Sequence, residues 1–82
     1  MFDKEVEEFV GVKWVEEEQV AIGYVEADGE RLYEDVFAQE TDAALGRDLA
    51  IVAHGWNAVR NYPDASLDDL VARLVLAWAK RF

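Results

Sequence analysis

Asp28-Gly29, set between two runs rich in β-branched and aromatic residues, constrains the fold of this chain more than any other feature. The dipeptide suits a tight hairpin, because both central residues of such a turn need positive φ. It predicts strands from Gln19 to Ala27 and from Glu30 to Ala38. Two registers stay open. A two-residue loop pairs Tyr24 with Tyr33 and Val20 with Phe37, but sets Ile22 against Asp35. A three-residue loop with a bulge pairs Ile22 with Val36 instead.

Other elements follow from periodicity. Phe2, Val6, Phe9 and Val10 stand at helical spacing, with Asp3 as N-cap and Gly11 as stop, so a short helix is expected over 3–10. Val12 to Val15 reads as a strand, and Glu16-Glu17-Glu18 as its link to the hairpin. Thr41-Asp42 opens a helix whose stripe is Leu45, Leu49, Val52, Trp56 and Val59, running to about Asn61. Gly46 and Gly55 inside it predict close packing against a neighbouring backbone, or a break near His54-Gly55. Pro63 ends this element. Ser66 caps a last helix with the stripe Leu67, Leu70, Val71, Leu74 and Trp78. Asp68 and Asp69 fall in its first turn, and Lys80 and Arg81 in its last, which suits the helix dipole. The expected fold is α+β in the order α-β-β-β-α-α: a short N-terminal helix, a three-stranded antiparallel sheet with the Asp-Gly hairpin, and two C-terminal helices packed on the sheet.

Eighty-two residues form a single domain spanning 1–82. With 52% apolar residues and three Trp, the chain has the material for a small core. It has no Cys, so neither a disulfide nor a thiolate metal site is available. The start, Met1-Phe2-Asp3-Lys4-Glu5, lacks the basic and apolar regions of a signal peptide. No apolar run is long enough to span a bilayer. A cytoplasmic location is the expectation.

Charge is the functional signal. Residues 1–42 hold fourteen acids against three bases, a formal −11, whereas residues 43–82 hold four acids and five bases, or +1. Packing gives no reason for such asymmetry, but a concentrated negative field attracts basic partners and speeds encounter with them. It excludes direct binding to nucleic acid or anionic lipid, which requires clustered Lys and Arg. Acidity from a salt-rich cytoplasm would be spread over the whole chain, and the second half is close to neutral.

Catalytic and metal chemistry find little support. His54 is the sole His and reads as a half-buried helix residue, while the sole Ser, Ser66, reads as a helix cap. No nucleophile–base–orienter set is evident, and the chain reads as a non-enzyme. Asp28-Gly29-Glu30 and Glu16-Glu17-Glu18 lack the spacing of a Ca²⁺ loop, and one His without Cys gives no Zn²⁺ set. No cofactor or dedicated metal site is expected.

The hairpin carries the most specific arrangement. Glu26, Asp28 and Glu30 surround the turn, and Glu34 and Asp35 follow on the return strand. Charges of either sign protect a strand edge, so edge protection leaves the near-absence of Lys unexplained. Carboxylates on a stiff hairpin can meet the Arg and Lys that grip phosphates elsewhere.

Asp28-Gly29, Gly55-Trp56-Asn57, Tyr62 and the acids Asp64, Asp68 and Asp69 occur in an order that resembles the small acidic anti-CRISPR proteins, which inhibit Cas9 by imitating DNA at its PAM-reading site. Where that family follows the turn with an amide and then an acid, this chain has Glu30 and the basic Arg31. The resemblance implies that Asp28, Gly29 and Glu30 enter the PAM-reading cleft, with Asp64 supporting them from an adjacent loop. Gly55, Trp56 and Asn57 are assigned to packing. The expected function is therefore a phage-type inhibitor whose partner is a basic nucleic-acid-binding protein, a Cas effector or other nuclease. An immunity protein or antitoxin neutralising a basic toxin nuclease uses the same electrostatics. A structural or dimerisation module, with Trp14, Tyr24 or Tyr33 exposed as its face, is the third reading.

Overall fold

A computed structural model describes residues 3–79. Four antiparallel strands form a meander in spatial order β1-β2-β3-β4: β1 Asp3–Glu5, β2 Val12–Val15, β3 Val20–Ala27 and β4 Glu30–Phe37. Two helices follow, α1 Glu40–His54 and α2 Leu67–Ala79. The Cα extents are 38 × 36 × 18 Å.

The N-terminal segment corrects the sequence reading. There is no helix over 3–10; Asp3, Lys4 and Glu5 pair with Val15, Trp14 and Lys13 as a first strand, so Asp3 is a strand residue and not a cap. A turn follows, in which the Val6 N–H donates to Val12 O at 2.9 Å. Eight residues are too few to hold a helix by propensity alone, and the spacing of Val6 and Phe9 serves a turn equally well. Both lean on the core cluster of Val12, Ala21, Ala43 and Ala44, while Val10 is exposed. Phe2, the start of the expected stripe, lies outside the described residues, as do Lys80 and Arg81.

Gly11 lets this turn close. Its φ of +67° is left-handed, and a Cβ there would sit 2.0 Å from Arg47 Nε and 2.5 Å from Tyr24 O. Only a residue without a side chain fits.

The hairpin combines the two expected registers. Asp28 (φ 53°) and Gly29 (φ 79°) form a two-residue turn of type I′ hand, closed by Ala27 and Glu30. A bulge then follows: Glu26 pairs with Arg31 but Val25 with Tyr33, leaving Leu32 as the extra residue. Beyond it, Ile22 meets Val36.

α1 lies across β2, β3 and β4, and α2 packs on α1 rather than on the sheet, a second departure from expectation. Small residues bring α1 close, with Ala43 and Ala44 against Ala21 and Val12. Gly46 faces the Phe37 ring, where a Cβ would come within 2.3 Å of a ring carbon. α1 ends at His54, well short of Asn61. The N–H of Gly55 donates to Val52 O and that of Trp56 to Ile51 O, the paired bonds of a left-handed C-terminal cap. α2 begins with a reciprocal cap: the Asp69 N–H donates to Ser66 Oγ at 3.2 Å, and the Ser66 N–H to Asp69 Oδ2 at 3.3 Å. Leu70, fully buried among Leu45, Ala65, Leu49 and Leu74, anchors it. Burying one Leu contributes about 1.5–3 kcal/mol.

A buried charge network, invisible to pattern reading, fixes the segment between the helices. The Asp48 carboxylate accepts the N–H groups of Asn61 at 2.9 Å and Tyr62 at 2.6 Å. Arg47 approaches it at 3.6 Å and Arg60 at 3.8 Å. Arg47 also donates to Tyr24 O and Val59 O, and Arg60 to Tyr62 O and Ala65 O. Burial pulls the Arg47 guanidinium below its usual value, with Asp48 acting in the opposite direction. Asn61 then clips this segment to the β1–β2 turn: its Oδ1 accepts from Val10 N, and its Nδ2 donates to Val10 O.

Candidate protein-binding surface

Strand alternation divides the hairpin acids between two faces. Ala21, Gly23 and Val25 turn toward α1, so their partners Phe37, Asp35 and Tyr33 share that side. Tyr24 and its partner Glu34 share the opposite, open face. Glu34 and Asp35, adjacent in sequence, therefore do not form one patch. Asp35 Oδ1 accepts the Val36 N–H, and Asp35 together with burial raises Tyr33 to about 12, burial being the larger cause.

The open face is a lattice of three carboxylates and two cations built around Tyr24. Arg31 binds Glu26 at 3.0 Å and also pairs with Glu34, and its guanidinium lies 4.4 Å from the Tyr24 ring centre. Lys13 Nζ lies 4.9 Å from the same ring centre and 3.9 Å from Glu5. The Tyr24 hydroxyl reaches both Glu5 oxygens at 2.8 Å. Burial, reinforced by Glu5, raises Tyr24 to about 12. Glu26 and Glu34 are thus held by the basic residue of their own hairpin, which limits their availability to a partner.

The tip differs. Asp28, Gly29 and Glu30 are exposed, and neither carboxylate has an ion pair among the described residues. Asp64 is exposed in the loop 56–66, in a shallow depression with Asn61, Tyr62, Asp69 and Arg73.

A second acidic region appears where the sequence reading had placed a helix. Glu5, Glu7, Glu8, Glu16 and Glu40, with Lys4, Val6 and Trp14, line an open groove of about 650 Å³. Trp14 Nε1 donates to Glu16 Oε2 at 2.6 Å. A continuous strip past Trp14 leads to Ala38 and Gln39. The density of Glu in 5–18 was a signal for this region, but only the folding of β1 onto β2 gathers those residues with Glu40.

The remaining candidates are structural in character. His54 is exposed, not half-buried, and stacks on Trp56 with ring centres 4.4 Å apart. Trp56 lies beyond the helix and is half-buried, while Asn57 is exposed. Trp14 lines the groove, and Tyr24 lies beneath two cations. Among the described residues, no group of three or more His, Asp or Glu is placed to hold a metal ion, and no helix is long and apolar enough to cross a membrane. Comparison with protein-family models, curated proteins and solved structures finds no match.

Proposed function

We propose that this protein is a non-catalytic inhibitor that presents acidic surface to a basic nucleic-acid-binding protein and so excludes nucleic acid from it. A Cas effector nuclease in the cytoplasm is the partner suggested by the sequence resemblance. The observation that carries the reading is the inequality of charge in the first 42 residues: two of the three bases there, Lys13 and Arg31, are already engaged by Glu5, Glu26 and Glu34. Lys4 is the one base lining the Trp14 groove, beside five glutamates of which only Glu5 is also paired with Lys13 among the ion pairs described above. The remaining carboxylates, Asp28 and Glu30 at the stiff tip among them, supply the field that a basic cleft senses. Arginines that read guanine edges can instead receive carboxylate forks.

The test is binding of the purified protein to a Cas effector loaded with guide RNA, measured between about 0.1 and 1 M salt, where the Debye length shrinks from about 10 to 3 Å. Affinity should fall steeply across that range, and target DNA should compete. Salt-independent binding, or no binding to any basic nucleic-acid-binding protein, contradicts the proposal. Binding to a basic nuclease toxin instead of a Cas effector retains the electrostatics and reassigns the partner.

A further inference from the structure

β4 is an edge of the sheet: β3 lies on one side of it, and among the described residues no strand lies on the other. The backbone of β3 shows which groups of β4 point outward. The Tyr24 N–H donates to Gly11 O at 2.9 Å, and Tyr24 O accepts from Arg47 Nε. Tyr24 thus directs both groups away from its partner Glu34. In an antiparallel ladder such pairs alternate with hydrogen-bonded ones, so Ile22 and Val36 form the next pair of the same kind. The backbone N–H and C=O groups of Glu34 and Val36 therefore face the open side of the strand. The bulge at Leu32 lies nearer the tip, and the register is regular from Tyr33 to Phe37. Glu34, Asp35 and Val36 are all exposed. One outward group is already engaged: the Val36 N–H donates to Asp35 Oδ1 at 2.9 Å, a carboxylate of its own strand standing where a neighbouring carbonyl would be.

We propose that this edge takes up an extended basic segment of the partner as a fifth strand. The inference rests on the basic partner proposed above and names the part of it that this chain holds. A carbonyl of the added strand accepts the Val36 N–H, and the released Asp35 carboxylate pairs with a Lys or Arg of the same segment. Charge selects this occupant. β4 holds Glu30, Glu34 and Asp35 against Arg31. Arg31 is engaged by Glu26 and Glu34, which leaves Glu30 and Asp35 without an ion pair among the described residues. A second β4 laid on this edge brings like charges opposite one another, which destabilises a sheet. Acids on an edge guard it against copies of the same chain in this way. A basic strand gains the ladder bonds, as in other strand additions, together with charge-assisted bonds to the acids. Val36, 57% exposed, adds apolar contact on the open face.

The test uses a synthetic peptide of alternating Lys and Val, matched to β4 at about eight residues. Its fully backbone N-methylated form, with the same charge but no N–H donors, is the control. The full chain should bind the unmethylated peptide roughly tenfold or more tightly, since only that form can donate to the edge. At saturation, amide exchange followed by NMR should slow at Glu34 and Val36. Val36→Pro removes an outward N–H and leaves the β3–β4 ladder intact, because an edge strand accepts proline on its open side. Circular dichroism checks that the variant is folded, and its affinity for the unmethylated peptide should fall to that of the control. No binding, equal binding of the two peptides, protection that leaves out Glu34 and Val36, or full affinity of folded Val36→Pro overturns the inference. Protection of these amides that grows with protein concentration, without peptide, assigns the edge to a second copy and overturns it too. The assay needs no nuclease, so the two proposals fail separately. Binding by charge alone leaves the acidic inhibitor standing without strand addition; uptake of the peptide by a protein that binds no basic nucleic-acid-binding protein does the reverse.

Discussion

The fully buried Asp48 carboxylate accepts the backbone N–H of Tyr62 at 2.6 Å, holding a segment without regular structure against the middle of α1. The same carboxylate lies between Arg47 and Arg60. Asp48→Ala leaves two N–H groups without their acceptor and two guanidinium groups without their anion. Breaking a buried pair in this way costs about 3–5 kcal/mol, a large part of the 5–15 kcal/mol typical of a whole domain. Urea denaturation should show the variant largely unfolded or close to it, and Asp48→Asn, which keeps an acceptor, should lose less.

Gly11 and Gly29 both have positive φ but should respond differently to alanine. Each substitution carries the left-handed penalty of about 1–2 kcal/mol. At Gly29 nothing lies within 4 Å of the new methyl, so the loss ends there. At Gly11 the methyl meets Arg47 Nε and Tyr24 O, and must displace the guanidinium from its buried network. The denaturation midpoint of Gly11→Ala should therefore fall much further than that of Gly29→Ala. Equal losses would contradict the packing described for the β1–β2 turn.

Stability should decline on the alkaline side. Tyrosine ordinarily titrates near 10, and burial raises both Tyr24 and Tyr33 to about 12, with Glu5 adding to the first and Asp35 to the second. The folded state therefore holds these protons more tightly than the unfolded chain. That contribution is complete below pH 10 and is lost as pH rises through 12. Denaturation at a series of pH values should show the loss, and Tyr24→Phe should reduce its steepness. A flat profile from pH 9 to 12 would contradict the environment assigned to both rings.

Arg31→Gln tests how the hairpin charge is used. The residue joins Glu26 and Glu34 on an exposed face, so its loss should alter stability by no more than about 1 kcal/mol. It also releases two carboxylates and makes the surface one unit more negative. The association rate with a basic partner should rise at low salt and return toward wild type at high salt. A slower association would mean that Arg31 positions the acids rather than masking them.

The turn chemistry at Asp28-Gly29 and the cap at Ser66 were legible in sequence, and a break near His54-Gly55 was one of two readings of the α1 glycines, because each depends on neighbours within a few residues. The N-terminal strand was not. Val6 and Phe9 have helical spacing, and nothing local reveals that Lys4 will pair with Trp14. The same limit hid the Trp14 groove, since its glutamates come together only when β1 folds back and Glu40 arrives at the start of α1. The tip acids Asp28 and Glu30 stand where the hairpin signal placed them. Arg31 was legible as a lone base among acids, but its grip on Glu26 and Glu34 depends on the bulge at Leu32. The Asp48 network joins residues 12 to 14 positions apart through loop geometry, for which no spacing rule exists.

Charge reversal at the tip bears most directly on the proposed function. The measurement is displacement of target DNA from a guide-loaded Cas effector by the wild-type protein and by the double variant Asp28→Lys, Glu30→Lys, with melting curves to establish that both are folded. Wild type should displace DNA at low salt, and the folded double variant should fail to do so. Equal displacement by the two proteins, or none by wild type, would contradict a mimic that engages its partner through the hairpin.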